Sequence, residues 1–203
     1  MLAVPSGGFR FEAVEEAAGF SLDAPRREAL STWLGEMVTW NARMDLTAAK
    51  SGEELVELMV TDALVLASAI AENARVVDVG TGAGAPGLAL AIVRPDLKLT
   101  LVDSLGKRMA FLRTILGRLR RADVTLVTGR GESLAEGSFD VAISRATLAP
   151  EAWEALGKRL VRSGGEVWVL LGEEASPRPG AREYVWPVSG RRRSAYAVSR
   201  SSP

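Results

Sequence analysis

Residues able to do chemistry concentrate in VVDVGTGAGAPG, residues 76 to 87, where an acid, Asp78, precedes Gly80, Gly82 and Gly84. Read from Gly82, the run fits G-x-G-x-x-G through Gly84 and Gly87, and Asp103 follows about 20 residues on, as in a dinucleotide fingerprint. Read from Asp78, it fits D-x-G-x-G-x-G instead. Asp103 ends the next apolar run, where a carboxylate can accept both hydroxyl hydrogens of a ribose, a role common to both readings.

The start of the loop separates the two. Asp78 lies inside the strand and Gly80 ends it, so the glycines begin one step earlier than a dinucleotide loop needs. A pyrophosphate also requires free amides at the following helix N-terminus, and Pro86 has no N–H to give. S-adenosylmethionine (AdoMet) has no phosphate and needs only close backbone approach, which Gly80, Gly82 and Gly84 allow. The residues favour AdoMet over a dinucleotide.

The rest of the composition narrows the chemistry further. Cysteine and histidine are both absent, which removes thiol nucleophiles, disulfides, an imidazole base and zinc sites of Cys/His type. No metal is expected. Lys plus Arg total 25 and Asp plus Glu total 25, so no global basic field draws nucleic acid from a distance. Contacts to RNA must come from local patches. No apolar run approaches the roughly 20 residues of a membrane span. The opening MLAVPSGGFRFEAVEE lacks the features of a signal peptide, and a cytoplasmic protein is expected.

These residues need elements to position them. Leu30, Trp33, Leu34, Met37 and Val38 recur at helical spacing, and Asp23 and Pro25 suit the start of a helix over residues 25 to 40. A second helix opens at Ser51, with Glu54 completing a capping box and Leu55, Leu58, Met59, Val65, Leu66 and Ala69 forming one inner stripe. Asp62 falls on that stripe. From residue 75, short apolar strands (RVVDV, KLTLV, VTLVT, FDVAIS, EVWVLL) alternate with helices opening at Gly87, Gly106 and Pro150. This alternation predicts an α/β, Rossmann-like, mostly parallel sheet with helices on both faces. GEEASPRPGARE reads as a polar connector. YVWPV and AYAVS then form a closing antiparallel hairpin with Ser189 and Gly190 in its turn, which suits the class I methyltransferase version of the fold. Residues 1–72 are expected as a helical segment packed on a core of residues 73–203, the whole making one compact unit of 203 residues.

Five segments in order resemble the bacterial 16S ribosomal RNA guanine-N7 methyltransferases (glucose-inhibited division protein B). They are WNARMDLTA, DVGTGAGAPG, VDSLGKRMAFL, the GRGE turn and SRA, together spanning roughly residues 25 to 172. The resemblance implies that Gly80, Ala85, Gly131, Glu132 and Arg145 line an AdoMet pocket, joined by Gly82, Gly84 and Asp103 on the grounds above. It also implies methyl transfer to guanine N7 of ribosomal RNA or the small subunit; a small-molecule methyltransferase and a non-catalytic AdoMet-binding paralogue stay open as alternatives, and a monomer is expected. The sequence departs from the family pattern in several places. Phe or Leu is usual where Ala85 stands, His where Met59 stands, Asp-Ser where Asp62 and Ala63 stand, Ala where Gly131 stands, and Lys-Gly where Leu171 and Gly172 stand. The chain is also short after Gly172.

Asp62 and Arg145 are the candidate catalytic pair. The helical phase of Asp62 buries it, so it needs a partner such as Arg145, a backbone amide or a capping hydroxyl; an interhelical tether and an active-site role fit it equally. Lys107 and Arg108, near the cofactor end of their helix, are candidate contacts to RNA phosphate. Arg118, Arg120 and Arg121 read as a solvated helix end. Trp33 and Trp40 read as core anchors rather than base-stacking platforms.

Overall fold

Strand segments rich in Val, Ile and Leu with little polar alternation are those of a parallel sheet covered on both faces. In the computed structural model of the protein, which describes residues 2–145, 148–173, 178 and 180–201, such segments form one seven-stranded sheet. Its strands are β1 (Arg75–Val79), β2 (Lys98–Asp103), β3 (Thr125–Thr128), β4 (Phe139–Arg145), β5 (Val161–Leu171), β6 (Arg182–Val185) and β7 (Arg192–Ser199). They run in the order β3-β2-β1-β4-β5-β7-β6. The first five are parallel, and β7 is antiparallel to both β5 and β6. The order reverses between β1 and β4, and a crevice at such a switch point is where this architecture binds ligands.

Helices α4 (Gly87–Val93), α5 (Gly106–Arg118) and α6 (Pro150–Leu160) connect the parallel strands, after α1 (Glu12–Ala18), α2 (Ala24–Met44) and α3 (Gly52–Ala67). Every residue of α4 is buried, because α2 and α3 pack over it from the side opposite β2. The predicted caps hold. Asp23 accepts the Arg26 amide at 3.0 Å and Ser51 accepts the Glu54 amide at 3.1 Å, while the Glu54 carboxylate reaches back to the Lys50 amide at 2.8 Å. At the opposite end of the sheet, Asp140 takes the Arg75 backbone amide at 2.8 Å and Arg162 Nε at 2.6 Å, tying β1, β4 and β5 together. Its carboxyl is held well below the usual range, first by the Arg75 side chain.

Several elements differ from expectation. Helix α1 carries no strong periodic signal in seven residues, and α2 continues four residues beyond Trp40, to Met44, before Asp45 turns left-handed. Strand β5 begins at Val161, five residues before Glu166, through an irregular pairing with β4. Helix α3 has no single inner stripe: every residue from Val60 to Ala67 is buried, and Ala69 lies exposed beyond its end. The further covers are α1 and, bonded along the helix, the β6–β7 hairpin. Its turn, residues 186 to 191, is longer than two residues, with Gly190 at φ 70. The connector GEEASPRPGARE lies partly outside the described residues, as does Ala146 of SRA.

Arg182 anchors this hairpin to both helical covers. Its guanidinium donates to the Val65 carbonyl at 3.0 Å, the Ser68 hydroxyl at 2.8 Å and the Ala18 carbonyl at 3.1 Å, satisfying carbonyls at the ends of α3 and α1.

Helix α6 lies so close to the sheet at Gly157 that an added Cβ would lie 2.4 Å from Val167 Cγ1. Gly157→Ala is expected to cost about 1–3 kcal/mol in urea denaturation. By contrast, Gly117→Ala in exposed α5, with open space around the added carbon, should gain roughly 0.5–1 kcal/mol.

Candidate functional site

The loop after β1 takes its shape from a few backbone bonds. The Gly80 and Thr81 amides both donate to the Val102 carbonyl, at 2.8 and 3.0 Å, which turns the chain across the end of β2. Gly80, Gly82 and Gly84 all have positive φ (75, 60 and 114), a conformation that glycine adopts without penalty. Helix α4 then opens at Gly87, whose amide donates to Asp78 Oδ2 at 2.8 Å. Trp33 supports the loop from below, its Nε1 donating to the Ala83 carbonyl at 3.1 Å. Trp33 is thus a core anchor, as its spacing implied, and also a prop for the loop, for which the sequence held no signal.

Beside this loop lies a cleft of about 510 Å³ at the carboxyl ends of the strands. It brings together five predicted residues: Gly80, Asp103, Gly131, Glu132 and Arg145. Asp103 receives the Gly82 amide at 3.0 Å on Oδ2 and the Leu105 amide at 2.8 Å on Oδ1. Arg108, expected as an RNA contact, lines the cleft and pairs with Asp103 at 3.3 Å. Gly131 begins a single 3-10 turn, Gly131–Ser133, where an added Cβ would lie 2.8 Å from Val79 Cγ1. The departure from the family's Ala at this position therefore has a packing reason here.

Other predicted residues lie elsewhere. A Cβ on Gly84 would point into the core, 2.8 Å from Leu88 Cβ and 3.1 Å from Trp33, while Ala85 is buried in the main core cluster together with Met59. Both lie outside the cleft lining. Gly82 is also outside the lining, but a Cβ there would meet open space. Lys107 is exposed and outside the cleft. Asp62 is 1% exposed and lies beneath the cleft wall, where its Oδ2 accepts from Arg145 Nη1 at 3.1 Å.

The sequence reading missed Leu105 and Leu148, which border the cleft while 42% and 41% exposed. Apolar side chains in such positions suit the faces of a flat heterocycle. Their signal in the sequence was only an apolar residue just past a strand end, which is too common to single out.

The cleft sits at the switch point of a sheet that ends in an antiparallel hairpin, and the acid at the end of β2 faces a glycine loop. This is the fold of class I AdoMet-dependent methyltransferases. Similar solved structures include Burkholderia thailandensis 1,6-didemethyltoxoflavin-N1-methyltransferase with bound 1,6-didemethyltoxoflavin and S-adenosylhomocysteine. That match has a TM-score of 0.57 and 17% identity, over 90% of this chain and 92% of that one. Another is M. jannaschii TYW2 in complex with AdoMet, with a TM-score of 0.55 and 12% identity, over 67% and 73%. At these identities the likeness is one of fold. The family is given by sequence: the model for rRNA small subunit methyltransferase G matches residues 26–200, and the chain belongs to this family. It is 36% identical over 162 residues to Ribosomal RNA small subunit methyltransferase G of Anaeromyxobacter dehalogenans (strain 2CP-C), covering 78% of this chain and 75% of that protein. The namesake from Klebsiella pneumoniae (strain 342) is 36% identical over 158 residues, covering 77% and 76%.

Asp78 is the titrating group at the root of this loop. Burial pushes its carboxyl up from 3.8 to about 6, against the opposing pull of the Gly87 amide. A raised folded value means that the native state holds this proton longer than the unfolded chain does. The contribution is therefore fully present below pH 3.8 and is lost as pH rises through about 6. Asp78→Asn keeps an acceptor for the Gly87 amide and does not titrate. In urea denaturation the variant should gain about 3 kcal/mol on wild type between pH 3.5 and 7. A pH-independent difference would show that Asp78 does not titrate in this range.

Proposed function

We propose that the protein transfers the methyl group of AdoMet to a guanine N7 of small-subunit ribosomal RNA, acting as a single chain in the cytoplasm. The observation that carries the cofactor is the Asp78 carboxylate bonded to the Gly87 amide at 2.8 Å. An acid already occupies the start of α4, and Pro86 offers no donor, so a pyrophosphate finds no free amide where this fold would hold one. A cofactor that is cationic at sulfur and free of phosphate suits the same place. Family membership supports the ribosomal substrate.

The residues fit AdoMet. Asp103 would hold the ribose hydroxyls, Leu105 and the Gly131 turn would flank the adenine, and Gly80 and Gly82 would let the backbone approach the amino-acid end. When bound, AdoMet supplies a methyl group activated by its sulfonium. The chain's own part is then to orient the nucleophile and exclude water. Guanine N7 is a lone pair without a proton, so its methylation needs no general base. A chain without histidine or cysteine can meet that demand. Methylation of a pyrimidine C5 requires a cysteine nucleophile, and D/N-P-P-Y, the loop that accepts exocyclic amines, is absent. Arg145, at the end of β4 on the cleft wall, would orient the base by donating to its edge.

The test is incubation with labelled AdoMet and either undermethylated small subunits or naked ribosomal RNA. Label should enter RNA at one guanine and yield a single strand break after borohydride and aniline, the behaviour of a cationic N7-methylated base. Label confined to small molecules, or a product resistant to that cleavage, would overturn the reading.

Two substitutions probe the cofactor loop. Asp103→Ala should weaken AdoMet binding about 10- to 100-fold in calorimetric titration, the loss expected of hydrogen bonds to a charged group. Gly82→Val should abolish binding, since its side chain would enter the open space beside the loop from a strained positive φ. Unchanged affinity in either would remove that residue from the pocket.

A further inference from the structure

Asp62 is buried where neither packing nor the transfer chemistry asks for an acid. A carboxylate enclosed in apolar helix costs several kcal/mol unless its partners offset it, and a hydrophobic side chain of similar volume often serves stability as well. Its neighbours on α3 from Val60 to Ala67 are all buried. The acid therefore calls for an explanation other than core formation.

Its partners come from three separate parts of the chain. Oδ2 accepts from Arg145 Nη1 of β4 at 3.1 Å and lies 3.8 Å from Arg193 Nη2 of β7. Oδ1 accepts from the Tyr184 hydroxyl at 2.8 Å and from Trp186 Nε1 at 3.0 Å. Arg193 in turn stacks over the Trp186 ring at 4.4 Å. Burial first, and then the charge of Asp62, push the Tyr184 phenol far above its ordinary range, so it stays protonated and donating. The same Arg145 nitrogen that meets Asp62 also donates at 2.5 Å to the Leu58 carbonyl, one helical turn earlier. Arg145 is thereby gripped by two acceptors on one face of α3 while lining the cleft, its side chain 16% exposed.

We infer that Asp62 is a positioning residue, fixing the Arg145 guanidinium on the cleft wall, and that the C-terminal hairpin locks Asp62 in place through Tyr184, Trp186 and Arg193. The hairpin is itself held along α3. Glu57 accepts the Val188 and Ser189 amides near one end, and Arg182 binds the Val65 carbonyl at the other. Tyr184 and Trp186 lie outside the cleft lining, yet the order of Arg145 depends on them. The inference rests on the methyltransferase reading for its catalytic consequence, and its geometric part stands apart from that reading.

The test combines nuclear magnetic resonance with kinetics on the full-length protein. With arginine side chains labelled by nitrogen-15, Arg145 should give slow-rotating, separate Nη signals in wild type, identified by their loss in Arg145→Lys. These signals should merge in Asp62→Asn and in Tyr184→Phe, which keeps its ring packed and secures the test if the first variant folds poorly. With AdoMet saturating, Asp62→Asn should lower kcat on ribosomal RNA about 10- to 100-fold, as expected for a misplaced orienting group. Tyr184→Phe should lower it about 3- to 10-fold, the scale of one hydrogen bond. The Asp62→Asn, Arg145→Lys double variant should be no slower than Arg145→Lys alone, because nothing then remains to be positioned. Rigid Arg145 signals in Asp62→Asn, or single-variant losses that multiply in the double variant, would overturn the inference. Wild type that methylates no RNA, but whose Arg145 signals respond as described, would strike the methyltransferase reading and leave the positioning standing.

Discussion

The hydrogen bond from the Gly87 amide to the buried Asp78 carboxylate fixes the relation between β1 and α4. It brings the first residue of the helix back against the strand so closely that a Cβ on Gly87 would lie 2.5 Å from Asp78 Oδ2 and equally near Leu101 Cδ2. With that contact in place, residues 80 to 86 must turn tightly over the strand ends, which is why positive-φ glycines fall at 80, 82 and 84. The cleft opens beside that turn. The same bond occupies the N-terminal amide of α4 with an internal acid, so the helix end that other nucleotide folds offer to phosphate is closed here. Strand packing, loop conformation and cofactor class thus follow from one buried acid and one glycine.

A second buried acid organises the other half of the molecule. Asp62 gathers donors from β4, β6 and β7 onto α3, and Arg182 attaches the hairpin to the ends of α1 and α3. The N-terminal helices and the C-terminal hairpin, far apart in sequence, are therefore one polar assembly wrapped around α3. Breaking such a network by removing one partner leaves a charge without its complement in low dielectric, which is much costlier than replacing the whole network with apolar groups.

Much of this was legible in the residues. Alternating strand and helix segments, the caps at Asp23 and Ser51, and the closing hairpin all rest on local signals that the fold retains. Gly80, Asp103, Gly131, Glu132 and Arg145 meet in one cleft because strand ends and their loops face the same way in a parallel sheet. Gly84 and Ala85 belong to the same run but turn toward Trp33 and the core, since a loop has two sides and a linear pattern does not say which residue faces which. Periodicity also failed for α3. It predicts one buried face, and it cannot anticipate that α1 and a hairpin more than 100 residues later close over the rest. Of the partners of Asp62, Arg145 was among those its burial called for, while Tyr184, Trp186 and Arg193 were hidden for the same reason.

The charge distribution completes the account of how such a chain meets RNA. Of the three arginines on the cleft, Arg130 is exposed, and the other two are paired, Arg108 with Asp103 and Arg145 with Asp62. The charges of those two are largely balanced within the protein and contribute little attraction at a distance. With 25 basic and 25 acidic residues overall, attraction for a phosphate backbone would fall to exposed cations such as Lys107, Arg130 and Arg191. Each phosphate neutralised contributes about one unit or less to the salt slope, so a few exposed contacts give a shallow dependence and modest nonspecific affinity. On the proposed function, discrimination would fall to the shape of the cleft and the orientation of Arg145, so the buried acids that set those features would matter more to specificity than the basic surface does.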